Sequence, residues 1–252
     1  MLDAAWLRNR LEGRDVHVLE SAGSTMVEAA RLLNGGAPDG TVVIAHEQTA
    51  GQGRHGHTWH SEAGSGLYLS LILRPGFAVE ASPALTLAMG LATRHAIRDL
   101  TGIECDLRWP NDLMIGPRKC GGILLQLFYR SVVAGIGINV NHSGFPPDLQ
   151  DQAVSLRIAS GREHLREPLA AAIAEQARQY CQRIAELGTG PVLAEFARVS
   201  SYARGLRVAV DQGGRTIEGV TAGLDPNGFL CVRDDSGQLH TILAGGVRPV
   251  LQ

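Results

Sequence analysis

The run "GLYLSLIL", residues 66–73, places leucine at every odd position from Leu67 to Leu73, alternating with Gly66, Tyr68, Ser70 and Ile72. A period of two reads as a strand with one face in a core. Upstream, "TVVIAHEQ" (41–48) reads as a buried strand, and a loop at 49–58 joins the two. Before these lie a short helix at 2–11 and the strand-like "DVHVLES" (15–21). Thr25 and Glu28 then form a T-x-x-E capping box for a helix through about Leu33. Downstream, 82–101 has helical apolar spacing, and Gly102 is placed as its stop. Strands are expected at about 106–109, 120–129 and 131–140, the last two joined tightly around Arg130 and Ser131. Helices are expected at 166–187 and 191–203. From Gly205 short strand-like runs alternate with Gly/Asp/Asn turns. The expectation is an α+β domain at 1–203, with a largely antiparallel sheet and helices on one side, and a small β-barrel-like domain at 204–252.

Composition narrows the function classes. The 252 residues are 44% hydrophobic and 19% charged, with a net charge of −2, which gives no electrostatic footprint for nucleic acid or an acidic membrane. No apolar run approaches the ~20 residues of a membrane helix, and the N-terminal stretch lacks the features of a secretory signal. Cys105, Cys120, Cys181 and Cys231 are scattered without a C-x-x-C, which fits a reducing cytoplasm. Lys119 is the one lysine among 23 lysines and arginines. Drift of lysine to arginine accounts for that as composition. A site needing a compact point charge in place of a planar fork accounts for it as chemistry.

The densest signal is "EQTAGQGRHGHTW" (47–59). Gly51, Gly53 and Gly56 let backbone N–H groups approach an anion, and Arg54 can bind phosphate or carboxylate oxygens. Neither a Walker A loop nor a dinucleotide fingerprint fits. His55, His57 and His60, near Glu47 and Glu62, invite a metal reading. Their spacing matches no standard zinc pattern, so they are read as solvated or phosphate-facing. The second signal is "RWPNDLMIGPRKCGG" (108–122). Pro110 makes Trp109 extended and ends the strand, Asn111 and Asp112 fall in a turn, and a hairpin loop leads to Lys119. Gly121 and Gly122 strip side chains beside that lysine. "AGIGINVN" (134–141) is a buried strand ending in Asn139 and Asn141, and "SAGSTM" (21–26) opens a helix.

Taken in order, Ser24-Thr25, Gln48, "GQGRHGHTW", "GLYLSL", "RWPND", Arg118-Lys119, "GIGINV" and a β-rich tail ending "ILAGG" resemble the biotin–protein ligase family over essentially the whole chain. The resemblance implies a mixed sheet flanked by helices, like class II aminoacyl-tRNA synthetases, followed by an SH3-like barrel. It implies two half-reactions: biotin and ATP, with Mg2+, give biotinoyl-5′-AMP, and a lysine of a biotin carboxyl carrier protein takes the acyl group. Lys119, Arg54 and Asp112 are the implied catalytic residues. Ser24, Thr25, Met26, Gln48, Gln52, Gly53, Arg54 and Lys119 would bind biotin. Arg54, Trp59, Asn111, Asp112 and Asn139 would bind ATP, with Asp112 a candidate Mg2+ ligand or proton acceptor.

Three positions depart from the family pattern. Gln52 stands where arginine is usual, Met26 where asparagine is usual, and Gly246 where an acidic residue is usual. The catalytic pattern begins within about 25 residues of Met1, so a monofunctional cytoplasmic ligase without a repressor's DNA-binding domain is expected, with neither DNA nor membrane as partner. Homodimerisation through a sheet edge is left open. The rival readings are a lipoate ligase or octanoyltransferase of the same fold, for which Cys120 is the candidate acyl carrier, and a non-catalytic adenylate-binding sensor.

Overall fold

The computed structural model describes residues 1–77, 82–212 and 214–250. Its elements run α1 (Ala4–Arg10), β1 (Val16–Ala22), α2 (Thr25–Asn34), β2 (Val42–Gln48), β3 (Gly66–Leu73), α3 (Ser82–Thr101), β4 (Asp106–Arg108), β5 (Asp112–Ile115), β6 (Arg118–Phe128) and β7 (Ser131–Asn139). There follow α4 (Leu156–Ser160), α5 (Arg166–Leu187), α6 (Gly190–Val199), β8 (Arg204–Asp211), β9 (Thr216–Leu224), β10 (Leu230–Arg233), β11 (Leu239–Ile242) and β12 (Val247–Pro249). The first seven strands form one sheet in the order β1-β2-β3-β7-β6-β5-β4. Only the β1–β2 pair is parallel, since α2 crosses between them. The other neighbours are antiparallel, as the tight β6–β7 connection requires.

Alternation decides which residues meet which helix. Val42 and Ile44, Leu67 to Leu73 at odd numbers, and Val132, Ala134, Ile136 and Ile138 join one large core. α1, α3, α5 and α6 cover that face, with Leu85, Met89, Ala92, Leu169, Ile173 and Phe196 at 0–1% exposure. Each such leucine contributes about 1.5–3 kcal/mol by leaving water. The intervening residues Val43, Ile72 and Val133 point the other way, into a smaller cluster with Met26 and Ala29 of α2. Helices thus cover both faces, correcting the expectation of one side. α2 covers only part of its face, and side chains such as Trp59 and Lys119 lie over the strand positions beyond it.

Two local expectations also change. Ser24, not Thr25, is the N-cap of α2, its side chain accepting from the Met26 N–H, and Glu28 pairs instead with Arg31. Residues 112–115 form a strand between β4 and β6, where a turn and hairpin loop were expected.

The strands from β8 to β12 form a second, antiparallel sheet in the order β11-β10-β9-β8-β12. Ile217, Gly219, Thr221 and Gly223 point inward along β9. Trp109 joins the two sheets: it is 2% exposed, and its indole N–H donates to the Gly228 carbonyl at 2.9 Å. No helix among the described residues is long and apolar enough to cross a membrane.

Candidate active site

The uncovered part of the α2 face is a floor made by omitting side chains. Along β7 the residues on this face are Val133, Gly135, Gly137 and Asn139. Val133 lies under α2. A Cβ on Gly135 would stand 2.5 Å from the Met26 sulfur, and one on Gly137 2.6 Å from the Trp59 ring. On β6, a Cβ at Gly122 would come 3.2 Å from the Lys119 side chain and 3.3 Å from Trp59. These glycines let Met26, Trp59 and Lys119 lie on bare backbone.

Polar groups line the α2 side. Gln48 Oε1 accepts from the Thr25 N–H at 2.8 Å and from the Thr25 hydroxyl at 3.1 Å, while its amide donates to Ser61 at 2.9 Å. Ser70 donates to Thr25 Oγ1 at 2.9 Å. These hydrogen bonds fix Gln48 and Thr25 at the start of α2, the positive end of the helix dipole, which favours a polar or anionic ligand end. Met26 is 4% exposed and carries no hydrogen-bonding group, so the side chain usual at that position is replaced by an apolar plug over Gly135.

The glycine-rich loop folds back as a small hairpin. Gln52 bridges Thr58, the Gly53 N–H donates to His57 O at 2.7 Å, and the Trp59 N–H to Gly51 O at 2.9 Å. Gly51 is obligatory, because a Cβ there would sit 2.6 Å from Ser61 Oγ. His55 is left-handed at φ 54°, a conformation that costs a non-glycine residue about 1 kcal/mol or more. Arg54 reaches across to Asn111 Oδ1 at 3.0 Å, and Asn111 donates to Ile123 O. Burial pushes the Arg54 guanidinium down from its ordinary range, opposed by Asp112.

Lys119 is reached through a register shift in the β5–β6 ladder, where Leu113 faces Gly121 but Met114 faces Lys119. Its ammonium lies 2.6 Å from Asp112 Oδ1 and 5.4 Å from the Trp59 ring centre. Arg108 holds the other Asp112 oxygen at 2.6 Å. Sequence reasoning gave Arg108 no role, although it stands in the quoted "RWPND"; its spacing to Asp112 acquires meaning only when β4 and β5 pair. Both Asp112 oxygens are thus engaged by cations. Asn139 is 4% exposed, and its amide points toward the Lys119 and Val154 carbonyls.

Two cavities meet at Lys119. One, lined by Thr25, Gln48, Arg54, Trp59, Gly122 and Gly137 among others, holds only about 50 Å³. The other, about 380 Å³, is lined by Trp59, Met114, Pro117, Asn139 and Phe145. Lys119 and Trp59 border both. The smaller space equals about two waters, so a larger guest requires the loop, Met26 or Trp59 to move. Outside, a groove of about 860 Å³ runs from Arg54, Arg108 and Asp112 to Leu243, Gly245, Gly246 and Arg248 of the second sheet. Gly245 has φ 121° and a Cβ there would strike Asp211 O, whereas Gly246 has open space around it. Cys120, next to Lys119, points into the core at 0% exposure. Contact with Cys105 and burial hold its thiol well above the ordinary range.

The model of the biotin/lipoate A/B protein ligase family matches residues 19–143, and that of the biotin protein ligase C-terminal domain matches 205–247. A biotin--[acetyl-CoA-carboxylase] ligase from Mycobacterium tuberculosis is 34% identical over 98% of this chain and 95% of its own. The bifunctional ligase/repressor BirA of Bacillus spizizenii is 42% identical over 62% of this chain; the match spans half of that relative's length, as it does for its Bacillus subtilis counterpart. Among solved structures, the biotin protein ligase from Aquifex aeolicus in complex with biotin and ATP superposes with a TM-score of 0.83 at 28% identity, over 94% of this chain and 99% of that one.

Proposed function

The chain belongs to the biotin protein ligase family, and from that premise we propose that it is an ATP-dependent ligase that attaches biotin to a lysine of a biotin carboxyl carrier protein. The observation that carries the reading is the meeting of two cavities at one lysine. Biotin would occupy the glycine-floored cavity, its ring system against Thr25 and Gln48 and its carboxylate toward Lys119. ATP would occupy the larger cavity, with its adenine between Trp59, Asn139 and Phe145.

A biotin carboxylate oxygen then attacks the α-phosphorus, the bond to the β-phosphate bridge breaks, and pyrophosphate leaves. Negative charge accumulates where carboxylate, α-phosphate and leaving oxygen converge. Lys119 supplies a fixed charge there, and a compact ammonium can face several oxygens as bonding changes. Asp112, braced by Arg108, positions that ammonium. Arg54 and the N–H groups of the loop would close over the phosphates. Mg2+ suits the nucleotide's phosphates better than Asp112, which is already doubly paired, and would arrive with ATP. In the second step the carrier lysine's neutral amine attacks the acyl carbon and AMP departs; Asp112 is the nearest carboxylate to Lys119 to take the released proton. The groove toward Leu243 and Arg248 is the approach for the carrier.

An octanoyltransferase reading requires an accessible cysteine nucleophile, and the buried Cys120 with its raised thiol cannot serve as one. Biotin-dependent exchange of pyrophosphate into ATP tests the proposal. Exchange supported by biotin and not by lipoate is expected; exchange with lipoate alone, or with neither acid, overturns it.

A further inference from the structure

The structure gathers one group of side chains that the ligase reading does not use. His60 and Glu62 follow the glycine-rich loop, and His142 follows the end of β7. One ring nitrogen of each histidine and one carboxylate oxygen of Glu62 lie within 4.8 Å of one another. His142 is fully buried, and neither of its ring nitrogens has a hydrogen-bond partner among the described residues. Buried polar atoms are nearly always paired, so a doubly orphaned imidazole marks a place where a partner is due. Its ring is clamped on one side by Phe145, stacked at 5.0 Å, while His60 approaches to 5.6 Å between centres. Its carbonyl is held by the Ser155 hydroxyl at 2.6 Å. Burial pushes His142 down to about 4, with His60 acting in the same direction and Glu62 opposing.

We propose that His60, Glu62 and His142 form a binding site for a divalent transition-metal ion of the Zn2+ class. Two imidazoles and one carboxylate match the three-ligand, open-position zinc sites, and imidazole donors disfavour Mg2+ and Ca2+. The site is preformed on one side only. His142 is fixed, whereas the half-buried His60 and the exposed Glu62 have room to swing in to bonding distances of about 2 Å. Bound metal would tie the downstream foot of the glycine-rich loop to the end of β7. His60 and Phe145 also line the larger cavity beside Trp59 and Lys119. The ion would therefore stiffen one wall of that cavity and limit how far the loop foot can travel. The site is separate from Asp112 and does not depend on the ligase reading.

The test uses tag-free full chain, stripped of metal by dialysis against a chelator and titrated with Co2+. One equivalent bound, with the strong visible bands of a tetrahedral site and displacement by Zn2+, is expected. Added Zn2+ should also raise the melting temperature. Glu62→Gln and His60→Gln should each weaken Co2+ binding at least tenfold, while the double variant His55→Gln/His57→Gln, on the exposed loop tip, should bind as wild type. Both ligand variants lie outside the core, so loss of binding cannot be laid to misfolding when their melting temperatures without metal match wild type. Absence of stoichiometric uptake overturns the site. So does uptake undiminished in Glu62→Gln and His60→Gln, which would mark adventitious binding by other histidines.

Discussion

Strand β7 carries two different problems on its two faces. Val132, Ala134, Ile136 and Ile138 fill the space beneath α3 and α5, at 0–2% exposure. Val133, Gly135, Gly137 and Asn139 face the other way, and after the first of them the strand supplies no apolar bulk. The same eight residues therefore build a core by filling space and a cavity floor by vacating it. The neighbours Lys119 and Cys120 repeat the division on β6, one aimed at Asp112 and Trp59, the other at Cys105 and the core.

If that division holds, damage on the two faces should read out differently. The largest effect is expected from Ile136→Ala, which opens a cavity among well-packed residues and should cost about 2–5 kcal/mol of stability. Denaturant unfolding measures it, and the Michaelis constants for biotin and ATP at permissive temperature should stay near wild type. Lys119→Arg tests the opposite face. Charge is kept and the shape changes, so pyrophosphate exchange should fall ~10²-fold, about 2.7 kcal/mol in barrier, with an unaltered melting temperature. Activity within about threefold of wild type would mean that arginine serves there as well as lysine.

A smaller change is expected from Gly137→Ala. The added methyl falls on the Trp59 ring, so the ring must shift and biotin binding should weaken by about tenfold, ~1.4 kcal/mol. Isothermal titration detects this, and unchanged affinity would show that Trp59 does not wall the smaller cavity. The mildest perturbation is chemical: alkylation of Cys120 in the native chain should run at least about tenfold slower than in urea, because its thiol is buried and its deprotonation opposed. Equal rates would place Cys120 at the accessible surface and revive an acyl-carrier role.

Much of this division was legible in the sequence, since alternation in "GLYLSLIL" and "AGIGINVN" already separates the two faces. Helix α5 matched its expected bounds at 166–187, because about six turns of apolar spacing leave little ambiguity. Short elements were another matter. β5 holds four residues and α4 five, too few to show a period, and pairing with β4 and β6 makes a strand of what its asparagine and proline neighbours suggest is a turn. The position of α2 on the far face was missed because its apolar residues say that it packs, without saying on which side.

In the site, motif resemblance named Lys119, Arg54, Asp112 and Gln48; the structure brings Lys119, Arg54 and Gln48 around the smaller cavity, with Asp112 paired to Lys119 from the outer groove. Contacts set by strand pairing or between distant segments were invisible: Arg108 and Lys119 sharing Asp112, Arg54 on Asn111, and His142 beside His60 and Glu62. Each of these depends on strand register, which no local spacing encodes.

The solitary lysine has a practical corollary. Apart from the α-amino group of Met1, a reagent that acylates primary amines meets one side chain on the entire surface, 30% exposed and sitting between the two cavities. Bulk modification chemistry, which on most proteins scatters over many addresses, here becomes a single-address footprint. The rate at which an activated ester consumes Lys119, read as one mass increment on one peptide, reports how well any added molecule shields that junction. No engineered label is required, because the chain carries its own.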